Sequence, residues 1–275
     1  MKFASFDFNL DESNVVAFGV PLGKNPNKSL QSLRYVSQFV EPMDLDSGVN
    51  LLENVKLHDS GDMELTSLDR ITEETKKILQ MNKPPLILGG NHLLSLYSLK
   101  AFENVKLVVF DAHGDFKNSY DDEKIREMNE GFYNPNINDA TWLRRVSEFI
   151  KPENIMLLGV RSCDEFELND LKKSGIKYFT SRKIIENQEV LEQIKEFTKN
   201  SRVYISFDVD VFDPSICPAV DMPEPDGIFF NNFQKMMQSV NGKIVGIDVC
   251  CLNSQDNEIS EFLIARSVFE ILHKI

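Results

Sequence analysis

The chain has 275 residues, of which 42% are hydrophobic and 27% are charged, a composition typical of globular proteins that bury a sizeable core. Its formal net charge of −13 argues against nucleic acid or an anionic membrane as a binding partner. No apolar run approaches the ~18 residues that a membrane span requires. Because the first residues also lack the features of a signal peptide, we expect a cytoplasmic protein.

Short hydrophobic runs recur along the chain and predict buried β-strands. They are nearly continuous in β-branched and aliphatic residues, which is typical of parallel strands covered on both faces of a sheet. The clearest runs lie at 15–20, 86–88, 107–110, 155–160, 202–207 and 244–249, with weaker candidates at 55–57 and 176–179. We therefore expect a mostly parallel sheet of about eight strands.

Segments with hydrophobic residues on one helical face separate these strands. The predicted helices span 66–80, 139–149, 181–198, 231–240 and 260–273, whereas the polar segment 116–138 predicts a long loop. Strands that alternate with helices predict a three-layer α/β/α fold, with helices on both faces of the sheet. Because the chain shows no internal repeat and no low-complexity linker, residues 1–275 are expected to form a single domain.

Three polar segments come directly after predicted strands, at 89–92, 111–115 and 208–210. Open α/β sheets bind ligands at the carboxyl ends of their strands, so these segments are expected to converge. In the second segment two aspartates alternate with a histidine, so the three side chains would share one side of an extended backbone. An aspartate at a strand end can equally cap a helix or a turn. Three such motifs, holding two of the four histidines, favour a common site.

The converging side chains would be four carboxylates and two imidazoles. Four buried carboxylates without cations would repel one another and be costly to desolvate, whereas two divalent ions would neutralise them. A mixed set of nitrogen and oxygen ligands suits Mn²⁺, Fe²⁺, Co²⁺ or Zn²⁺. The sequence therefore predicts a dinuclear metal site with the ligands His92, Asp111, His113, Asp115, Asp208 and Asp210.

These motifs resemble those of the ureohydrolase superfamily, which comprises arginases, agmatinases, guanidino-acid hydrolases and formimidoylglutamases. The family patterns Gly-Gly-Asp/Asn-His-Ser and Asp-Ala-His-x-Asp correspond to residues 89–92 and 111–115, and a third, Ser-Phe/Ile-Asp-Val/Ile-Asp-x-x-Asp-Pro, corresponds to residues 206–214. Further likeness at 158–162 and 223–227 extends the resemblance over nearly the whole chain. It implies an arginase-like fold, two Mn²⁺ ions per chain, a small guanidino or amidine substrate, and a trimeric or hexameric homo-oligomer, with agmatinases as the nearest members.

The resemblance also implies how the ligands are shared. One ion would be held by His92, Asp111, Asp115 and Asp208, and the other by Asp111, His113, Asp208 and Asp210. A water activated by the metals would attack the guanidinium or amidine carbon, and the C–N bond would then break. Agmatine, which would yield putrescine and urea, is the best single guess for the substrate.

The chain departs from the family pattern at positions that grip substrate and move protons. Asp139 stands where the family has a proton-shuttling histidine, and Cys251 where it has a glutamate that holds the guanidinium. Asn91 replaces an aspartate, and residues 219–222 replace a glycine-rich turn. Asp139 and Cys251 are thus candidate catalytic residues, although Asp139 is equally explained as a helix cap and Cys251 as a small residue that fills space. The changes predict that agmatine and arginine are poor substrates.

Two other interpretations follow from the same motifs. The chain could be a metal-binding family member that has lost guanidine hydrolysis and acts on another substrate or as a binding protein. Gly-Asn-His and Asp-x-His also occur in calcineurin-like phosphatases, which suggests a dinuclear phosphoesterase. There, however, Asp-x-His precedes Gly-Asn-His, whereas here residues 90–92 precede residues 111–113, so the order disfavours that class.

Overall fold

Ten strands form two sheets in the computed structural model, which describes residues 1–4, 8–254 and 258–275. In chain order the strands are β1 (Val15–Val20), β2 (Met43–Asp44), β3 (Val49–Asn50), β4 (Leu57–Asp62), β5 (Pro85–Gly89), β6 (Lys106–Phe110), β7 (Ile155–Gly159), β8 (Lys177–Thr180), β9 (Arg202–Asp208) and β10 (Lys243–Cys250). Strands β2 and β3 form a small antiparallel pair. The other eight form one parallel sheet in the order β4-β1-β5-β10-β9-β6-β7-β8.

The strands are hydrophobic on both sides because both faces of the sheet are covered. In β5, Leu86 and Leu88 pack into the core on one face, whereas Ile87 packs into the core on the opposite face. In β6, Val108 and Val109 divide between the two faces in the same way. The continuous apolar runs in the sequence are therefore explained by burial on both faces.

Ten helices surround the parallel sheet among the described residues. They are α1 (Pro26–Ser37), α2 (Asp69–Gln80), α3 (Leu93–Leu99), α4 (Glu123–Met128), α5 (Trp142–Val146), α6 (Glu165–Ser174), α7 (Ser181–Glu186), α8 (Glu189–Thr198), α9 (Phe230–Ser239) and α10 (Ile259–Leu272). Helices α1 and α7 to α10 pack on one face, and α2, α3, α5 and α6 on the other. The predicted three-layer α/β/α fold with an eight-stranded parallel sheet is confirmed. None of the helices described here has the length and apolar character needed to cross a membrane.

Three segments differ from their predicted secondary structure. The predicted helix 181–198 is two helices, because Asn187 leaves the helical conformation and its side chain accepts a hydrogen bond from the Glu189 backbone N–H (2.8 Å). The predicted helix 139–149 is a 3-10 turn followed by the short α5. The predicted loop 116–138 contains α4, whose first turn is capped by Asp122. In each case local capping decides where the helix begins or ends.

Candidate metal centre

The polar motifs meet because four neighbouring strands, β5, β10, β9 and β6, end at the same edge of the sheet. His92 lies three residues after Gly89, the last residue of β5, Asp111 follows β6, and Asp208 is the last residue of β9. A Cβ atom on Gly90 would lie 2.6 Å from the carbonyl oxygen of Leu22. Glycine at this position therefore lets the loop that carries His92 approach the neighbouring chain segment closely.

His92 lies among three of the predicted carboxylate ligands. Its Nδ1 atom is 3.1 Å from Asp111 Oδ2, 3.1 Å from Asp208 Oδ2 and 3.5 Å from Asp115 Oδ2. The imidazole and two of these carboxylates are almost completely buried, and Asp115 is only slightly exposed. This half of the cluster offers one nitrogen and three carboxylates to a single ion.

His113 lies against the other side of the same carboxylate group. Its Nδ1 atom is 2.9 Å from Asp210 Oδ2 and 3.5 Å from Asp111 Oδ1. The two oxygens of Asp111 thus face different histidines. That arrangement is the one expected of a carboxylate shared between two ions, and the structure brings all six predicted ligands into one cluster.

The backbone that presents these ligands is less extended than the sequence suggested. Asp115 adopts a left-handed conformation with φ of 49°, so the chain turns instead of continuing as a strand beyond His113. Asp210 belongs to a 3-10 turn that follows β9, and its backbone N–H donates to Asp208 Oδ1 (2.9 Å). These turns direct the carboxylates of Asp115 and Asp210 toward the cluster. The alternation of side chains along an extended strand would not do so.

The cluster has the properties of a site built for cations. Among the described residues, the buried atoms His92 Nδ1 and Asp111 Oδ2 have no hydrogen-bond partner. Burial and the charge of Asp111 raise the pKa of Asp115 to about 7. Burial opposes protonation of His113, but the carboxylates of Asp210 and Asp111 raise its pKa to about 12. The group therefore retains protons at neutral pH that divalent ions would displace, and the residues fit a metal pair.

A serine and a buried aspartate orient the first imidazole. Ser206 Oγ lies 2.9 Å from His92 Nε2 and 2.8 Å from Asp248 Oδ1. The hydroxyl has one proton, which the carboxylate accepts, so the hydroxyl oxygen accepts the proton of His92 Nε2. The Nδ1 lone pair then points at the three carboxylates. Such a partner on the second ring nitrogen is the usual support of a histidine that binds metal.

Trp142 supports the same half of the cluster. Its indole Nε1 donates to Asp115 Oδ2 (2.8 Å), and its ring lies 4.2 Å from the His92 ring, centroid to centroid. The sequence by itself predicts no role for Trp142, Ser206 or Asp248. All three stand within or beside the family motifs, which is the signal that could have identified them.

Asp139 is buried and holds two loops together. Its carboxylate accepts hydrogen bonds from Asn91 Nδ2 (2.8 Å), Leu93 N (3.1 Å) and Asn129 Nδ2 (3.3 Å). Burial and the charge of Asp115 raise its pKa to about 8. Asp139 does not cap the helix that follows it, as one explanation predicted, because the side chain of its neighbour in the chain, Asn138, caps that turn. Two departures from the family pattern, at positions 91 and 139, are thus direct contact partners.

Cys251 lies at the carboxyl end of β10 and lines the same cavity as the carboxylates. Its backbone has φ of 66°, and its N–H donates to the carbonyl oxygen of Gly90 (3.1 Å). The thiol forms no disulfide, and burial raises its pKa well above the usual value. A neutral thiol therefore stands where the family has an anionic glutamate.

A cavity of about 220 Å³ opens above the cluster. His92, His113, Asp208 and Asp210 form part of its lining, so a small molecule within it would touch the metal ligands directly. Apolar side chains, including Ile125, Met128 and Met222, line other parts of it.

Comparison with known proteins places the chain in a family. The family model described as the arginase family matches residues 15–273. A protein of 32.2 kDa from Methanothermus fervidus, described as uncharacterised, is 32% identical over 257 residues, covering 86% of this chain and 84% of that protein. An agmatinase of Bacillus anthracis is 29% identical over 267 residues, covering 88% and 84%. The solved structure of the agmatine ureohydrolase of Thermoplasma volcanium has a TM-score of 0.84 at 26% identity, covering 97% of this chain and 91% of that one.

The chain therefore belongs to the arginase family, whose members are hydrolases that act on C–N bonds and normally bind a dinuclear metal. The resemblance to the ureohydrolase superfamily, with agmatinases among the relatives, is confirmed.

Proposed function

We propose that this protein is a dinuclear-metal hydrolase of linear C–N bonds in guanidino or amidine compounds, with agmatine as the first substrate to test. The observation that carries the proposal is the position of Asp111, whose two carboxylate oxygens face the Nδ1 atoms of two different histidines at the floor of a small cavity. Two Mn²⁺ ions per chain are our first choice, and Fe²⁺, Co²⁺ or Zn²⁺ would suit the same donors.

The ligands divide into two groups around Asp111 and Asp208. His92 and Asp115 would complete the site of one ion, and His113 and Asp210 that of the other. When bound, the metals supply Lewis acidity and lower the pKa of a water molecule that attacks the substrate carbon.

The protein's own groups then have to orient ligands and move protons. Ser206 holds the His92 ring with Nδ1 open toward the carboxylates. Asp139 lines the cavity beside the cluster, and with a pKa of about 8 it is the group we assign to proton transfer to the leaving amine. Its bonds to Asn91 and Asn129 keep the carboxylate in place.

The alternative is a family member that binds metal but has lost hydrolysis. In that case the altered positions, Asp139 and Cys251, would have lost the family's catalytic groups without gaining a new role. The contacts of Asp139 argue for the enzyme, because its carboxylate lines the cavity and is held in place there by a 2.8 Å hydrogen bond from Asn91 Nδ2.

The test is release of urea and ammonia by Mn²⁺-loaded protein from a panel of guanidino and formimino compounds that includes agmatine and arginine. Asp208→Ala, which removes a shared ligand, serves as the control for background hydrolysis. Turnover of at least one compound, absent in the control, is expected. Two bound ions per chain with no turnover of any compound would instead support the binding-protein alternative.

Cys251→Glu tests the role of the cysteine in the same assay. If Cys251 only fills space where the family has its acceptor, the new carboxylate should increase hydrolysis of guanidino compounds. If Cys251 contacts a different substrate, the substitution should abolish the native activity without creating another.

A single domain over residues 1–275, a cytoplasmic location and assembly into trimers or hexamers remain predictions. Light scattering on the eluting protein during size-exclusion chromatography would test the last of these.

A further inference from the structure

A second acid, Asp221, lines the cavity together with Cys251 and lies on a neighbouring segment of the chain. Val220 and Leu252 form an isolated antiparallel bridge, and the backbone N–H of Asn253 donates to the carbonyl oxygen of Ala219 (2.9 Å). Asp221 and Cys251 each lie one residue from this bridge, on the two neighbouring segments. Both residues line the cavity above the metal cluster.

Asp221 is an acid with few partners of its own. Asn253 Nδ2 donates to its Oδ1 atom (2.8 Å). In the described part of the chain, no lysine or arginine nitrogen lies within 4.0 Å of its carboxylate, and Lys124 bonds to its backbone carbonyl oxygen instead (2.6 Å). Burial raises the pKa of Asp221, while Asn253 and the more distant Lys124 oppose the shift. The carboxylate is therefore partly desolvated and lacks a contacting counter-ion.

The charges around the cavity indicate that a ligand bound to the Asp221 carboxylate would be a cation. Four aspartate ligands carry −4, and two divalent ions would carry +4, so the loaded cluster contributes no net charge. Among the other charged lining residues, Lys117 is paired with Asp164 and Glu167, and Lys124 bonds to the backbone of Asp221. The carboxylate of Asp221 therefore adds a negative charge that no lysine of the lining contacts, and it interacts electrostatically with Asp139. A planar cation such as a guanidinium or amidinium would neutralise it and offer two parallel N–H donors.

We propose that Asp221 is the anionic anchor for the guanidinium or amidinium head of the substrate, and that this chain has moved the family's acceptor from position 251 to position 221 on the neighbouring segment. The inference rests on the proposed function for its choice of ligand. It revises the expectation that cationic guanidines are poor substrates, which considered position 251 alone.

The experiment measures binding of two probes to Mn²⁺-loaded protein by isothermal titration calorimetry. The probes are agmatine and N-(4-aminobutyl)urea, which has the same amine tail but a neutral head. Asp221→Asn keeps the size and the polarity of the side chain and removes its charge. Asp164→Asn, at the rim of the cavity, removes an equal charge and is the matched control. If agmatine is turned over in the calorimeter, KM and kcat replace the Kd.

With Asp221→Asn, affinity for agmatine should fall about 10- to 100-fold, the usual effect of losing a charge-assisted hydrogen bond, while the neutral probe changes less than about threefold. Asp164→Asn should leave both affinities within about threefold, because its half-exposed carboxylate is already paired with Lys117, whereas Asp221 has no such partner among the described residues. The metal content should stay at the wild-type level in both variants. In Asp221→Asn with Cys251→Glu, agmatine affinity should recover.

Several results would overturn the proposal. Unchanged agmatine affinity in Asp221→Asn would do so, as would equal losses for both probes, or a wild-type protein that does not prefer agmatine over the neutral probe. If the double variant, Asp221→Asn with Cys251→Glu, binds agmatine as weakly as Asp221→Asn alone, the proposed exchange between positions 221 and 251 is refuted. If agmatine binds through Asp221 but no urea is released from it or from any other compound in the panel, the anchor stands and the proposed hydrolase function fails.

Discussion

The hydroxyl of Ser206 offers a sharp test of how the first half of the metal centre is built. Ser206→Ala removes the acceptor 2.9 Å from His92 Nε2 and the donor 2.8 Å from Asp248 Oδ1, and it changes no proposed ligand. The imidazole then loses the interaction that keeps its proton on Nε2 and its Nδ1 lone pair available. We therefore expect weaker metal binding even though all six proposed ligands are unchanged.

The expected size of the effect follows from the contacts. Loss of the partner that orients a metal-binding histidine typically costs 10- to 100-fold in metal affinity, or about 1.4–2.7 kcal/mol. Asp248 keeps the hydrogen bond from Tyr204 OH (2.7 Å) but loses one donor while fully buried, so the free energy of unfolding should also fall by about 1–3 kcal/mol.

Metal affinity would be measured by titrating metal-free protein with Mn²⁺ against a chromophoric chelator, and stability by urea unfolding of the same samples. Ser98→Ala is the matched control, since Ser98 is equally buried and its hydroxyl contacts Tyr204 OH (2.7 Å) instead of a histidine. The control should lose stability without losing metal affinity. Metal affinity of Ser206→Ala within about twofold of the unmodified protein would refute the orienting role.

Three further outcomes follow from the structure. Asp208→Ala should lose both ions, because the proposed assignment makes Asp208 a shared ligand; elemental analysis that still finds two ions per chain would contradict it. Removing the metal with a chelator should lower the Tm, since saturation at 100 times the Kd adds about 2.7 kcal/mol to the free energy of unfolding; an unchanged Tm after measured metal loss would exclude this linkage. Asp59→Asn should destabilise the protein by about 3 kcal/mol at neutral pH, because it removes the carboxylate 2.7 Å from the buried Arg34. Despite burial, Arg34 lowers the pKa of Asp59, so this stabilisation is present above the ordinary aspartate pKa of ~3.9 and is lost as the pH falls through the lower folded value. Equal effects of the substitution at neutral pH and at about pH 2 would contradict that pH dependence.

The sequence alone was sufficient for the layered fold and for the candidate ligands. Continuous apolar runs such as 107–110 predict strands that are buried on both faces, and the alternation of strands with helices predicts the layers. Polar residues directly after such runs, such as Asp111 and His113, must lie at the carboxyl edge of a parallel sheet. Short helices were harder to predict, because α4 has too few turns for its periodicity to stand out from a polar loop.

Contacts between distant segments were decided only by the tertiary structure. The strand order β5-β10-β9-β6 places Ser206 beside His92, and no local pattern in the sequence specifies which strands are neighbours. The bridge between Val220 and Leu252 brings the segments of Asp221 and Cys251 together, and no local pattern in the sequence specifies that contact. The residue types that follow a strand show which polar side chains lie at the edge of the sheet. The packing of the strands decides which of these side chains contact one another. For that reason the sequence identified the lost charge at Cys251, and only the fold revealed that the carboxylate of Asp221 lines the same cavity.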